Sequence, residues 1–420
     1  NASIRKIVQE TYNTTNFKDE PVTLKHLDNY SYLNLFNGPT FAFKDMALSI
    51  LPKLVTEAKF KNIMLKPSIV LTATSGDTGS AALSGFSGSD SDHIIVLYPT
   101  EGISEFQETQ MNSYQSDTEH IYALNGNFDD CQNIVKELFL TLKPKETSLT
   151  SANSINIGRL VPQVIYYVYS YLELLKEKKI RSNGHLNFCV PTGNFGNIYA
   201  AYIAKELGVP IKKLIVASNQ NNVLDDFFKT GEYKIDRTLD KSMSPSMDII
   251  ISSNLERYIY NLLDGDTVRV NNLMNELKEK KSVLVKEALK QKLYTSGFAT
   301  EEDTKRAIKT EFDSSGLIID THTAVAKHVY EEYVKETNDK TYTVIVSTAS
   351  PYKFSESVLT SLGETPKSLF ENMLTLEKLA KEPVDERILD ILTKQTSKKV
   401  LKKENAYDVL KKVIEDIDQR

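Results

Sequence analysis

Apolar and polar positions alternate along this chain in two kinds of segment. Short apolar or β-branched runs bounded by polar residues occur at 69–74, 93–99, 121–124, 186–190, 213–217, 317–319 and 342–346, and read as buried strands. Apolar residues at helical spacing lie between many of them, through Gln110, from Asp129 to Leu142, and from Ile198 to Leu207. A long helical stretch after residue 159 carries Tyr166, Tyr167, Tyr169 and Tyr171, an aromatic stripe that reads as core or a domain face. Strand and helix taking turns predicts an α/β protein with a mostly parallel sheet. Residues 32–36 add a short strand after a polar N-terminal stretch, 85–92 a loop, and 394–420 a Lys-rich amphipathic helix. Residues 222–312 read as mainly helical and charge-rich, a solvated surface or a partner face.

Chemistry concentrates where these elements meet. Gly38-Pro39 is a turn signal, and the stretch Thr40-Phe41-Ala42-Phe43-Lys44-Asp45 then sets one lysine among apolar and aromatic neighbours at a helix start. An amine held out of water there is nucleophilic towards an aldehyde and can later act as a base. The alternative is a lysine whose head snorkels to the surface. The strand at 69–74 runs into Ser75-Gly76-Asp77-Thr78-Gly79-Ser80, where backbone N–H groups and hydroxyls can converge on an anion. The same residues also make an ordinary helix cap. Residues 151–159, which include Ser154 and Arg159, supply hydroxyls, amides and a guanidinium, a donor set suited to phosphate.

The turn Pro191-Thr192-Gly193-Asn194-Phe195-Gly196-Asn197 between strand and helix aims several N–H groups at one point. It lacks the third glycine of a dinucleotide fingerprint and the Gly-Lys-Ser/Thr of an ATP loop, so a smaller phosphate such as that of a pyridoxal cofactor suits it better. The late strands end in the hydroxyl-rich turns Asp320-Thr321-His322-Thr323 and Ser347-Thr348-Ala349-Ser350. In an open α/β sheet such turns lie where ligands bind. His322 reads either as a titrating site residue or, with more weight, as a hydrogen-bonded structural one.

Composition narrows the class. A chain of 420 residues, 40% hydrophobic and 25% charged, is long enough for two domains. A net charge of -5 leaves no basic footprint for nucleic acid or an anionic membrane. No apolar run approaches the roughly 18 residues of a membrane span. Two cysteines, Cys131 and Cys189, argue against a disulfide framework and for a reducing, cytoplasmic compartment. A first residue of Asn indicates a processed chain or a piece of a longer one.

Six stretches together, in order, resemble the threonine synthases, pyridoxal-phosphate-dependent enzymes of the tryptophan-synthase-β-like class (fold type II). They are GPTFAFKD at Lys44, TATSGDTGSAA, SANSINIGRLVPQ, PTGNFGN, HTAVA and STASPYKFSES, spanning about 37 to 360. The resemblance implies a two-domain α/β fold of mostly parallel sheets flanked by helices, with the active site in the cleft. Residues 1–64 would join the large domain, 65–170 would form the small one, and 171–420 the rest of the large one with a helical insertion at about 222–312. It also implies pyridoxal 5'-phosphate linked to Lys44, its phosphate on Gly193, Asn194, Phe195, Gly196 and Asn197, and its ring nitrogen on Thr348.

On the same grounds Ser75, Asp77 and Thr78 would hold the substrate carboxylate and face the cofactor ring hydroxyl, and Ser154 and Arg159 would bind the substrate phosphate. The implied reaction turns O-phospho-L-homoserine and water into L-threonine and phosphate, in a monomer or homodimer. Two positions depart from the family, where His is common in place of Asn37 and of Ser350, and many members have a longer N-terminal region. A phospho-lyase of the same scaffold releasing an oxo acid is the competing enzyme. A non-catalytic amino-acid-binding homologue would call for a damaged lysine or phosphate turn, and both are intact.

Overall fold

The computed structural model describes residues 2–63, 66–89 and 91–419. The chain divides into two compact units, one of Asn1–Pro21, Phe36–Arg159 and Ser368–Arg420, the other of Val22–Leu35 and Leu160–Lys367.

The first unit is built on a five-stranded parallel sheet in the order Val400–Lys402, Glu119–Asn125, His93–Pro99, Ser68–Ala73, Ser148–Ser151. Successive side chains of a strand point to opposite faces, and both faces here are apolar. Ile69, Leu71, Ile95 and Leu97 pack against helix residues Cys131, Leu138, Leu410 and Ile414. Val70, Ile94 and Val96 pack against Ala81, Ala82, Leu83 and Met111. Such double burial is why these strands read as continuous apolar runs.

The second unit carries a six-stranded sheet in the order Thr23–His26, Tyr30–Asn34, Thr343–Ser347, Leu186–Pro191, Ile211–Ser218, Tyr294–Phe298. Only its first pair is antiparallel. A separate two-stranded ribbon pairs Glu232–Lys234 with Ser282–Leu284. Together these sheets are the α/β architecture of fold type II.

Several expectations are corrected. Residues 317–319 form no strand, being a link between helices Glu301–Ser315 and Thr321–Thr337. The helical stretch expected at 222–312 also holds the strand Tyr294–Phe298, which extends the main sheet beside Ile211–Ser218. The C-terminal segment begins with the strand Val400–Lys402 before the helix Lys403–Asp418. Its pairing with Glu119–Asn125 and the burial of Leu410 and Ile414 group residues 368–420 with the first unit, where the sequence placed them in the large domain. The lysine loop groups with that unit too, since Leu48 and Leu51 enter its core. The expected boundary at 64–65 lies outside the described residues. Among those residues no helix is long and apolar enough to cross a membrane. Both cysteines are free and buried, and burial pushes their thiols well above the usual range.

Candidate active site

In the first unit, Lys44 caps the short helix Asp45–Leu48. Its loop is closed by Asp45, which accepts from Thr40 N–H at 2.8 Å and from the Thr40 hydroxyl at 2.5 Å. Phe41 takes a left-handed φ of 60° within it. Arg387 braces the loop from outside, donating to Asn37 O at 3.2 Å and lying over the Phe41 ring at 4.9 Å. Asn37 itself donates to Glu20 O at 2.7 Å.

The Lys44 side chain is 11% exposed, and its Nζ lies 3.3 Å from Asp77 Oδ2. It is therefore not a snorkelling lysine. Asp77 opens the helix Asp77–Phe86 just after the strand Ser68–Ala73, and its other oxygen accepts from Gln107 Nε2 at 2.8 Å. Thr74 Oγ1 accepts from Gly76 and Gly79 N–H at 2.9 and 2.8 Å, shaping the turn that holds Ser75 and Thr78. Gly76 has φ of 123°, and a Cβ on it would meet the Gln107 amide at 2.5 Å. Gly76→Ala should therefore cost about 1–3 kcal/mol in denaturant unfolding; an unchanged midpoint would contradict the strain.

The segment carrying Ser154 and Arg159 is pinned beside this turn. Asn153 donates to Ala73 O at 2.7 Å and accepts from Ala73 N–H at 3.3 Å. Arg159 is 2% exposed, on the short 3-10 turn Ile157–Arg159, with Nη1 donating to Ala152 O at 2.5 Å. The first unit thus gathers Lys44 with Asp77, and Ser75 and Thr78 next to the segment of Ser154 and Arg159.

In the second unit, strands Leu186–Pro191 and Thr343–Ser347 run parallel, so the turn from Thr192 and the buried Thr348 share the carboxyl edge of the sheet. Phe195 adopts φ of 63° before the helix Gly196–Glu206. The turn's carbonyls are engaged on one side. Ser252 donates to Gly193 O, and Asn254 donates to Asn194 O through its backbone N–H at 3.1 Å and its amide at 3.0 Å. Gly193 is required by close approach, since a Cβ there would meet Ser246 O at 2.8 Å.

That covering segment is held in turn by Asp248, which accepts from Ser242, Asn219 and Asn221. Burial pushes the Asp248 carboxyl above its usual range, an effect that the Ser242 and Asn219 donors partly offset. His322 is buried, with Nδ1 2.9 Å from Asp320 Oδ1 and Nε2 accepting from Ser246 N–H at 3.2 Å. It is the structural histidine. Ser350 caps the turn Pro351–Phe354.

Asn197 lies under this turn. Its Oδ1 accepts from the hydroxyls of Tyr166 and Tyr167 at 2.5 and 2.6 Å, while Nδ2 is buried and has no hydrogen-bond partner among the described residues. A buried amide donor without an acceptor is costly. A helix N-terminus, engaged carbonyls and one spare donor fit a phosphate-bearing group. Of the tyrosine stripe, Tyr166 and Tyr167 are core and also hold the amide of this turn, whereas Tyr169 and Tyr171 are only partly buried. Sequence reasoning missed Gln107, Arg387, Ser252 and Asn254. Only Gln107 left a local mark, as the third residue of a capping box with Ser104.

These turns on type II sheets define the class. The family described as "Pyridoxal-phosphate dependent enzyme" matches residues 30–349, and "Threonine synthase, C-terminal" matches 323–414. Threonine synthase of Schizosaccharomyces pombe is 38% identical over 392 residues, covering 86% of this chain and 76% of its own. The structure of threonine synthase from Brucella melitensis, described as bound to pyridoxal phosphate, superposes with a TM-score of 0.83 at 32% identity, covering 100% of this chain and 85% of that one. Human threonine synthase-like 1 is 37% identical over 383 residues, and the match spans 86% of this chain but only 50% of that protein, so the chain spans about half the length of such relatives. The chain belongs to the threonine synthase family of pyridoxal-phosphate-dependent enzymes.

Proposed function

We propose that this protein is a carbon–oxygen lyase, a threonine synthase that converts O-phospho-L-homoserine and water to L-threonine and phosphate with pyridoxal 5'-phosphate as cofactor. The observation that carries this reading is the buried Lys44 amine held 3.3 Å from Asp77, in a chain whose glycine turn keeps a spare buried donor at Asn197. The family match supports it.

When bound, the cofactor supplies an electron sink that makes protons near the substrate α carbon removable. Gly193, Asn194, Phe195, Gly196 and Asn197 would hold its phosphate, and Thr348 its ring nitrogen. A hydroxyl there leaves that nitrogen largely unprotonated, which suits elimination and replacement more than transamination. Lys44 takes the α proton and returns protons to the neighbouring carbons. Asp77 keeps the amine oriented and faces the cofactor side. Ser75 and Thr78 donate to the substrate carboxylate, and Ser154 and Arg159 grip its phosphate. Phosphate leaves the γ carbon with the bonding pair, and water adds its oxygen at the β carbon.

Two buried free cysteines support a reducing, cytoplasmic setting, and a monomer or homodimer is the proposed state. Chromatography of products after incubation with O-phosphohomoserine tests the reading. Threonine and phosphate in equal amounts are expected. An oxo acid in place of threonine would mean a phospho-lyase, and an untouched substrate would end the enzymatic reading.

A further inference from the structure

We propose that Gln107 is a positioning residue of this site, its amide holding the Asp77 carboxylate against the Lys44 amine. The inference rests on the cofactor reading above. Gln107 is fully buried at the third position of the helix Glu105–Asn112, and two contacts fix which end of its amide faces which way. Ser104 N–H donates to Oε1 at 3.0 Å, and a backbone donor demands an oxygen there. Nε2 therefore faces Asp77 and donates to Oδ1 at 2.8 Å. On the opposite side Oδ2 meets Lys44 Nζ at 3.3 Å. Burying a carboxylate is costly unless donors satisfy it, and at Asp77, 3% exposed, these two donors take one oxygen each. The amide also fills the space that a side chain on Gly76 would occupy.

Capping alone does not explain a glutamine here. A glutamate at this position would cap the helix as well, but it would set a second carboxylate against Asp77, where like charges drive one of them to take up a proton. The amide is the side chain that both caps the helix and keeps Asp77 a single negative charge facing the lysine.

The test is a pH titration of the visible absorption of pyridoxal phosphate in the purified holoprotein, which reads the charge around the Lys44 nitrogen. Gln107→Met should lower the midpoint by about 0.5–1 unit, the equivalent of one hydrogen bond. Asp77→Asn should lower it further, and adding Gln107→Met to Asp77→Asn should change nothing more. Ser104→Ala, which removes the cap acceptor and leaves the Gln107–Asp77 contact, should reduce stability without moving the midpoint. Should Gln107→Met not fold, Gln107→Glu keeps the cap, and the proton then shared between its carboxyl and Asp77 weakens the negative charge facing the lysine and should lower the midpoint. A midpoint indifferent to Gln107, or a Gln107→Met effect undiminished beside Asp77→Asn, overturns the inference. Absence of a visible band in the unsubstituted protein overturns the cofactor reading and this inference with it.

Discussion

Replacing Lys44 with alanine lowers turnover of O-phosphohomoserine by at least about a thousand-fold, the scale of a lost acid–base group, and leaves borohydride with no cofactor to fix on the chain. Lys44 sits 11% exposed, its amine against Asp77, on a loop that Asp45 closes through Thr40 and that Arg387 braces at Asn37. Replacement by alanine keeps the backbone of the short helix Asp45–Leu48 and removes only the amine. It also leaves Asp77 buried without that ammonium, so some stability is lost; circular dichroism separates this from chemistry, because a folded, inactive variant is the expected result. Phosphate binding at the 193–197 turn should persist, and the variant should still take up cofactor, released on dialysis instead of retained. Turnover near the normal rate in Lys44→Ala would end the reading of this lysine as the reactive amine.

The sequence and the structure agree where one kind of signal dominates. The apolar runs at 69–74, 93–99 and 186–190 reappear as the strands Ser68–Ala73, His93–Pro99 and Leu186–Pro191, because a strand covered on both faces writes its burial into every position. Tyr294–Phe298 escaped, since Tyr-Thr-Ser-Gly-Phe at the sheet edge is held by backbone pairing to Ile211–Ser218 and is only partly buried. Residues 317–319 are apolar enough for a strand, yet they sit between the left-handed Gly316 and the cap Asp320 and are spent joining two helices. The buried lysine loop and the glycine turn were legible as local features because turn chemistry is local. Their supports were not. Gln107 reaches Asp77 across 30 residues and Asn254 reaches Asn194 across 60, and no local pattern records a contact of that span.

Arg159→Leu should raise the KM for O-phosphohomoserine by about 10- to 100-fold, the worth of one or two charge-assisted hydrogen bonds to a phosphate, while the visible spectrum of bound cofactor stays unchanged. The guanidinium is 2% exposed and one of its N–H groups is committed to Ala152 O. That commitment fixes the plane of the fork, and a planar fork with its orientation set grips phosphate in two-point fashion. The segment is anchored independently of Arg159, since Asn153 ties it to Ala73 and Asn156 donates to Ser151 O at 3.0 Å and accepts from Gly158 N–H at 2.9 Å. Removing the guanidinium therefore leaves the backbone of Ser154 in place. A purely structural arginine gives a different pattern. Loss of the Ala152 contact would then lower the unfolding midpoint and leave KM unchanged in the protein that remains folded. Arg159→Lys separates the two, because an ammonium keeps the charge but contacts phosphate at a single point, so its KM should fall between the parent and the leucine variant. Inhibition by inorganic phosphate should weaken in the same order, and constants that ignore position 159 would return Arg159 to the core.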